Sequence, residues 1–226
     1  MPAEITIPRR LPVMTLANTV FFPHAMLPLH IFEPRYRQML EDVLAGDRLF
    51  VVAREDEARG EATGEFEPPC QVASVGVVRA CQREASGSSH LILQGLARVR
   101  FTGIVHEDPY RLGEFEPLDS AGADAVSLAE MRHQLARTVR RRQQLGAAEP
   151  EEVFDFLDAL TDPETYLDLT SFTLCEDNDI KQQLLETLNT QQRFRRLVDY
   201  LERDNEKLSL EHQLRGKLDE DDIDRN

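Results

Sequence analysis

Leu11-Pro-Val-Met-Thr-Leu-Ala-Asn-Thr-Val-Phe-Phe-Pro23, followed by Met26-Leu-Pro-Leu-His-Ile-Phe-Glu-Pro-Arg-Tyr-Arg37, decides how this chain folds. Leu11–Leu16 is short, apolar and suited to a strand. Asn18 and Thr19 punctuate it, and Pro23 stops the Val20–Phe22 run. In Met26–Phe32 a period of two sets Leu27, Leu29 and Ile31 on one face. Pro28 has no backbone donor, so this run is expected as an edge strand or a bulged one. A helix then begins at Pro34, a residue suited to the first helical position, with Glu33 at its positive end. Tyr36, Met39, Leu40 and Val43 fall at i, i+3, i+4 and i+7, which makes one buried stripe. Gly46 is its expected stop.

The period of two continues to about residue 118. Arg48–Ala53 and Val72–Ala80 read as strands, with Gly76 marking a bulge or bend. Between them, Glu55–Pro69 is polar and rich in Gly and Pro, and is expected as a long mobile loop. Ser86–Ser89 reads as a hairpin turn. His90–Gln94 leads to Gly95, and Ala97–Val105 alternates. Val99, Phe101 and Ile104 then point inward, and Arg98 and Arg100 outward. Tyr110–Phe115 also alternates. Six or seven short strands with one early helix fit a small, mostly closed β-barrel.

After a linker at Ser120–Asp124 the period changes to 3.6. Leu128, Met131, Leu135 and Val139 form one stripe, ended by Gly146. Val153, Phe156, Leu157 and Leu160 form the next. Asp162 caps a third helix with Pro163 in its first turn and Tyr166, Leu167, Leu169 and Phe172 inward. Ile180, Leu184, Leu185 and Leu188 make a fourth. Thr190 can cap a fifth, which buries Phe194, Leu197, Val198 and Leu201. A run of strands followed by a run of helices argues an α+β chain of two units rather than alternating layers. The expected boundaries are 8–118 for the barrel, 124–216 for a helical bundle and 217–226 for a disordered acidic tail.

Composition narrows the function classes. The net charge is -15, of which residues 119–226 carry -11, from 25 acidic and 14 basic side chains. Such a field repels phosphate backbones and anionic lipid surfaces, so neither nucleic acid nor membrane is an expected partner. The start of the chain lacks a basic stretch leading into an apolar run, and no segment reaches membrane-spanning length. Cys70, Cys81 and Cys175 are too few and too scattered for a disulfide framework. A cytoplasmic chain with reduced thiols is expected.

The opening stretch resembles the Lon substrate-binding domain family. That family's pattern is a Leu-Pro strand, a Val-Phe-Pro segment and then Pro-Leu-x-Ile-Phe-Glu-x-Arg-Tyr. Val75-Gly-Val-Val78, Leu91-Ile-Leu-Gln-Gly-Leu-Ala-Arg-Val-Arg100, Asp179–Leu188 and Arg193-Phe-Arg-Arg-Leu197 resemble later parts of the same family. The likeness spans roughly residues 8–205. It implies a PUA-like β-barrel followed by a helical bundle, in a stand-alone bacterial member. It also implies a module that recognises unfolded or extended protein segments, with a separate protease as partner, as a monomer or weak homo-oligomer. Pro28, His30, Phe32, Glu33, Arg35 and Tyr36 are the candidate binding residues. The ligand is expected between barrel and bundle, added to the Pro28 edge as a strand, with the 55–69 loop as a lid.

Enzymatic readings find little to stand on. Gly216-Lys217 is followed by Leu218, which is not a phosphate-binding loop. The three lysines, Lys181, Lys207 and Lys217, all lie in the helical part, and no Gly-x-Ser-x-Gly elbow exists. Carboxylate pairs such as Asp155 and Asp158 read as a solvated helix face. Cys175 stands among Glu176, Asp177 and Asp179, whose charges blunt a thiol. The spacings Cys70–Cys81 and His24–His30 are unlike zinc sites. No catalytic residue, cofactor or metal is therefore expected. The rival reading is a barrel that binds a small molecule or nucleotide. Glu33 and Arg35 also admit a structural reading, as a helix cap and ion pair with Tyr36 packed under the barrel. Arg140–Arg142 reads equally well as a docking patch or as a solvated helix end.

Overall fold

The computed structural model describes residues 6–122 and 124–223. The strands are β1 (Arg10–Leu16), β2 (Met26–Ile31), β3 (Leu49–Arg54), β4 (Val72–Arg83), β5 (Ser89–His106) and β6 (Leu112–Leu118). Helix α1 (Pro34–Ala45) and a short α2 (Glu57–Thr63) interrupt them. Then come α3 (Ala125–Gln144), α4 (Glu151–Asp158), α5 (Pro163–Leu174), α6 (Asn178–Glu186) and α7 (Thr190–Ile223). The chain divides into two compact units. One is Met1–Ser120 with Asp177–Leu188; the other is Ala121–Glu176 with Asn189–Asn226.

In the first unit the sheet order is β2-β5-β4-β3-β1-β6, and β6 also pairs with β5. Five strands thus form a ring that closes through β5, with irregular register at the seam around Gly103 and His106. β1 and β3 are parallel, because the chain crosses over through β2 and α1 between them. Leu11, Val13, Val51, Val75, Val99 and Phe115 fill the interior. The stripe Tyr36, Met39, Leu40 and Val43 is the buried face of α1, as its spacing requires.

Several expectations change here. Gly95 does not divide two strands; β5 runs unbroken through it. Segment 55–69 contains α2, whose Asp56 caps Arg59 N at 3.1 Å. This helix buries none of its residues, so it leaves no apolar stripe in the sequence. Arg98, expected outward, is buried, and its Nε donates to the Leu185 carbonyl at 3.0 Å. That carbonyl belongs to α6, which the barrel unit includes. Gln182 of the same helix donates to Val72 O at 2.9 Å, and Arg54 pairs with Asp179 at 2.7 Å.

The second unit is built from α3, α4, α5 and α7. Asp124 caps α3, and Asp162 caps α5 by accepting from Thr165 N at 2.7 Å. The cap of α7 is Asn189, which accepts from Gln192 N, while Thr190 Oγ1 turns to Glu164 at 2.9 Å. In α4 the buried aromatic is Phe154 and Phe156 is exposed, because the helix turns the face holding 154 and 157 inward. Arg142 is buried and pairs with Glu149 at 2.8 Å and with Asp204. It is therefore no part of a docking patch. Helix α7 extends through Ile223, and the last residues of the expected acidic tail, 224–226, lie outside the described residues.

Candidate functional site

β2 lies at the end of the sheet order and, among the described residues, pairs only with β5. Gly95 N donates to Ala25 O at 2.9 Å, and Ala25 and Gly95 occupy facing positions in the continued register. Alternation along an antiparallel pair then makes Leu27, Leu29 and Ile31 the hydrogen-bonded positions. The backbone groups of Met26, Pro28 and His30 point away from β5, along the open edge. Pro28 sits where its missing N–H leaves no ladder bond unmade, as an edge proline must. Side chains alternate as well. Ile31 is buried and Leu27 and Leu29 are half-buried, while Met26, Pro28 and His30 are exposed. Phe32, just beyond the strand, is 62% exposed. Its ring lies 5.6 Å from that of His30.

The start of α1 behaves differently. Glu33 makes no side-chain cap; it pairs with Arg35 at 2.9 Å. Arg35 also reaches Glu67 at 2.8 Å, and its guanidinium stands 4.4 Å from the Tyr36 ring centroid and 5.4 Å from that of Phe66. The Glu67 carboxylate raises the Arg35 pKa beyond its ordinary value. Tyr36 is buried, and burial pushes its phenol upward. Arg35, Tyr36, Phe66 and Glu67 line a cavity of about 500 Å³ together with Arg111 and Glu107. Arg111 is held by Glu107 at 2.8 Å and by the carbonyls of Phe66 and Glu67. Both arginines of this cavity already have carboxylate partners, which leaves it poorly suited to a phosphate.

A second, shallower hollow of about 490 Å³ lies over β2, β5 and β4 and includes Pro28, His30, Cys81, His90 and Ile92. His30 faces His90 in register, and their rings stack at 4.4 Å with planes 11° apart. His90 Nε2 is 3.1 Å from Glu84 Oε1.

The six residues read from sequence therefore separate. Pro28, His30 and Phe32 share the outer face beside the open edge. Glu33, Arg35 and Tyr36 belong to the α1 corner. Glu67, Phe66 and Arg111, which complete the cavity, were missed because they lie 30 to 75 residues from Tyr36 and carry no local signal. His90 and Glu84 were missed for the same reason. Among the thiols, Cys70 is pushed up to about 11 by burial, and Cys175 is buried. Among the described residues, no helix is long and apolar enough to cross a membrane.

A family model described as the ATP-dependent protease La (LON) substrate-binding domain matches residues 10–203. Among curated proteins, the chain is 23% identical over 217 residues to the Lon protease of Desulfosudis oleivorans, covering 95% of this chain and 26% of that protein. It is 27% identical over 228 residues to the Lon protease of Trichlorobacter lovleyi, covering 96% of this chain and 27% of that protein. The chain thus spans about a quarter of the length of these relatives. Among solved structures, the N-terminal domain of Mycobacterium avium complex Lon protease superposes with a TM-score of 0.65 at 20% identity, covering 85% of this chain and 98% of that one. A Lon N-terminal domain protein from Xanthomonas campestris gives 0.60 at 18% identity, covering 84% and 98%.

Proposed function

The chain belongs to the LON substrate-binding domain family, and from that premise we propose that it is a non-catalytic cytoplasmic module that binds extended or unfolded protein segments and hands them to a separate protease. The observation that carries this reading is the open edge of β2. An extended peptide added there meets the outward backbone groups of Met26, Pro28 and His30. Main-chain pairing supplies affinity without demanding a particular sequence, which suits a reader of unfolded chains. Pro28 removes one donor from the middle of the edge, which limits uncontrolled pairing with other strands. Phe32 and Met26 supply apolar contacts to side chains of the added strand.

The test is equilibrium binding of a fluorescent, reduced and carboxymethylated protein, compared with the same protein in its native state. Saturable binding of the unfolded form alone supports the reading. Equal binding of both forms, or none, removes it. The protease-delivery part is tested apart from this, by whether the chain speeds degradation of that unfolded protein by an ATP-dependent protease from the same cells.

A further inference from the structure

We propose that the outer face of the β2–β5 pair binds a divalent transition-metal ion of the zinc class through His30, His90 and Glu84. Nothing in this site depends on peptide binding. One ligand atom from each residue lies within 4.8 Å of the other two. Ligands about 2.0–2.1 Å from a tetrahedral zinc stand about 3.4 Å apart. His90 Nε2 and Glu84 Oε1, 3.1 Å apart, are already at that spacing. An imidazole binds a metal in the plane of its own ring, so sharing one ion also requires a reorientation of one ring out of the near-parallel stack, with the donor atoms drawn in from within 4.8 Å of one another. The exposed His30 ring can make it by side-chain rotation.

Three features hold the ligands in place. First, His30 and His90 are cross-strand partners at a non-hydrogen-bonded position, where the two backbones come closest. The six-pair ladder around them keeps that register. Second, Glu84 is steered. Its Oε2 accepts from Ser88 Oγ at 2.6 Å and from Ser86 Oγ at 3.3 Å, which leaves Oε1 toward His90. Hydrogen bonds of this kind orient the carboxylate ligands of metal sites. Third, the turn that carries Glu84 is closed by Glu84 N to Ser88 O at 2.9 Å and by Gly87 N to Glu84 O at 3.0 Å. Two imidazoles and one carboxylate suit zinc, cobalt or nickel, whereas calcium and magnesium take oxygen ligands. A fourth position stays open to water. The plainer account is a surface ion pair beside stacked rings, and it gives no reason for all three groups to act together.

The experiment uses tag-free full-length chain, stripped with chelator, titrated with Zn2+ by calorimetry and with Co2+ by visible absorption. One ion per chain is expected. H30Q and H90Q should each weaken binding by more than about 100-fold, and S88A, which removes the hydroxyl that steers the carboxylate, by about tenfold. H106Q and H133Q should leave it unchanged. Circular dichroism melting of the chelator-stripped H30Q and H90Q variants should match that of the parent, since His30 and His90 are exposed. Absence of saturable binding overturns the proposal. So does binding that persists in the H30Q/H90Q double variant.

Discussion

Tyr36 Oη exchanges two hydrogen bonds with the backbone of Thr15, donating to its carbonyl and accepting from its amide, each at 3.2 Å. One phenol thereby fastens α1 to β1 at a buried point. Removing the hydroxyl while keeping the ring takes both partners from the buried backbone of Thr15. Tyr36→Phe should cost about 1–3 kcal/mol, the range for stranding buried polar groups. Urea denaturation measures it. A change below about 0.5 kcal/mol would mean that the Thr15 backbone finds other partners.

The Tyr36 stripe and the edge character of β2 were legible in the sequence because both follow from spacings of two to seven residues. The Glu33–Arg35 pair was legible for the same reason. What the sequence hid depends on register between distant segments. Arg98 alternates with inward residues and so reads as exposed, yet α6 returns nearly ninety residues later and offers it a carbonyl. His30 and His90 face each other only because β2 and β5 pair as they do. Phe66 and Glu67 reach Arg35 only through the irregular segment after α2. Helix α2 left no trace because it buries nothing, and periodicity reports burial rather than helicity.

Gly95 is a position where no side chain fits. A Cβ there would stand 2.1 Å from the carbonyl oxygen of Phe22, which is backbone and cannot swing away. Gly95 also bonds through its amide to Ala25 O and through its carbonyl to His24 N, so β5 cannot shift to relieve the clash. Gly95→Ala should destabilise by about 3 kcal/mol, the upper end of ordinary overpacking. Gly103→Ala on the same strand meets open space and serves as the control. Thermal melts of the two variants should separate clearly.

Arg193 is fully buried and pairs with Glu164 at 3.2 Å and with Asp168, itself buried, at 3.7 Å. Breaking a buried ion pair from one side leaves the other charge uncompensated. Arg193→Ala should therefore cost about 3–5 kcal/mol. The double variant Arg193→Met with Asp168→Leu should recover much of that loss, since apolar replacement of both partners is often neutral. If the double variant is worse than Arg193→Ala, the pairing is not what holds these helices.

Tyr166 sets an alkaline limit on the helical unit. It is fully buried, and burial pushes its phenol up to about 12. In the unfolded chain the same group ionises near 10. Between those values the unfolded state holds fewer protons than the folded one, so stability falls as pH rises. The contribution is intact below pH 10 and is lost by about pH 12, a change of about 2–3 kcal/mol. The Cys70 thiol, pushed up to about 11, titrates in the same window. Comparing Tyr166→Phe with the parent across pH 9–12 isolates the phenol. The variant should show the shallower slope, and equal slopes would reassign the loss to other groups.

Phe32 and Met26 should govern peptide binding without governing stability. They are 62% and 48% exposed, so a polar replacement removes little buried apolar surface from the fold. Phe32→Ser should leave the unfolding free energy from urea denaturation within about 0.5 kcal/mol of the parent. The same change should weaken binding of an unfolded protein by about tenfold, because exposed aromatics carry much of the energy at such contacts. A proline placed at His30 would remove a second outward donor from the same edge, and should weaken binding further if main-chain pairing contributes. Met26→Ser tests the far end of the strand. Full affinity in both Phe32→Ser and His30→Pro would move the ligand off β2, and the cavity between Arg35 and Arg111 would then be the surface to mutate.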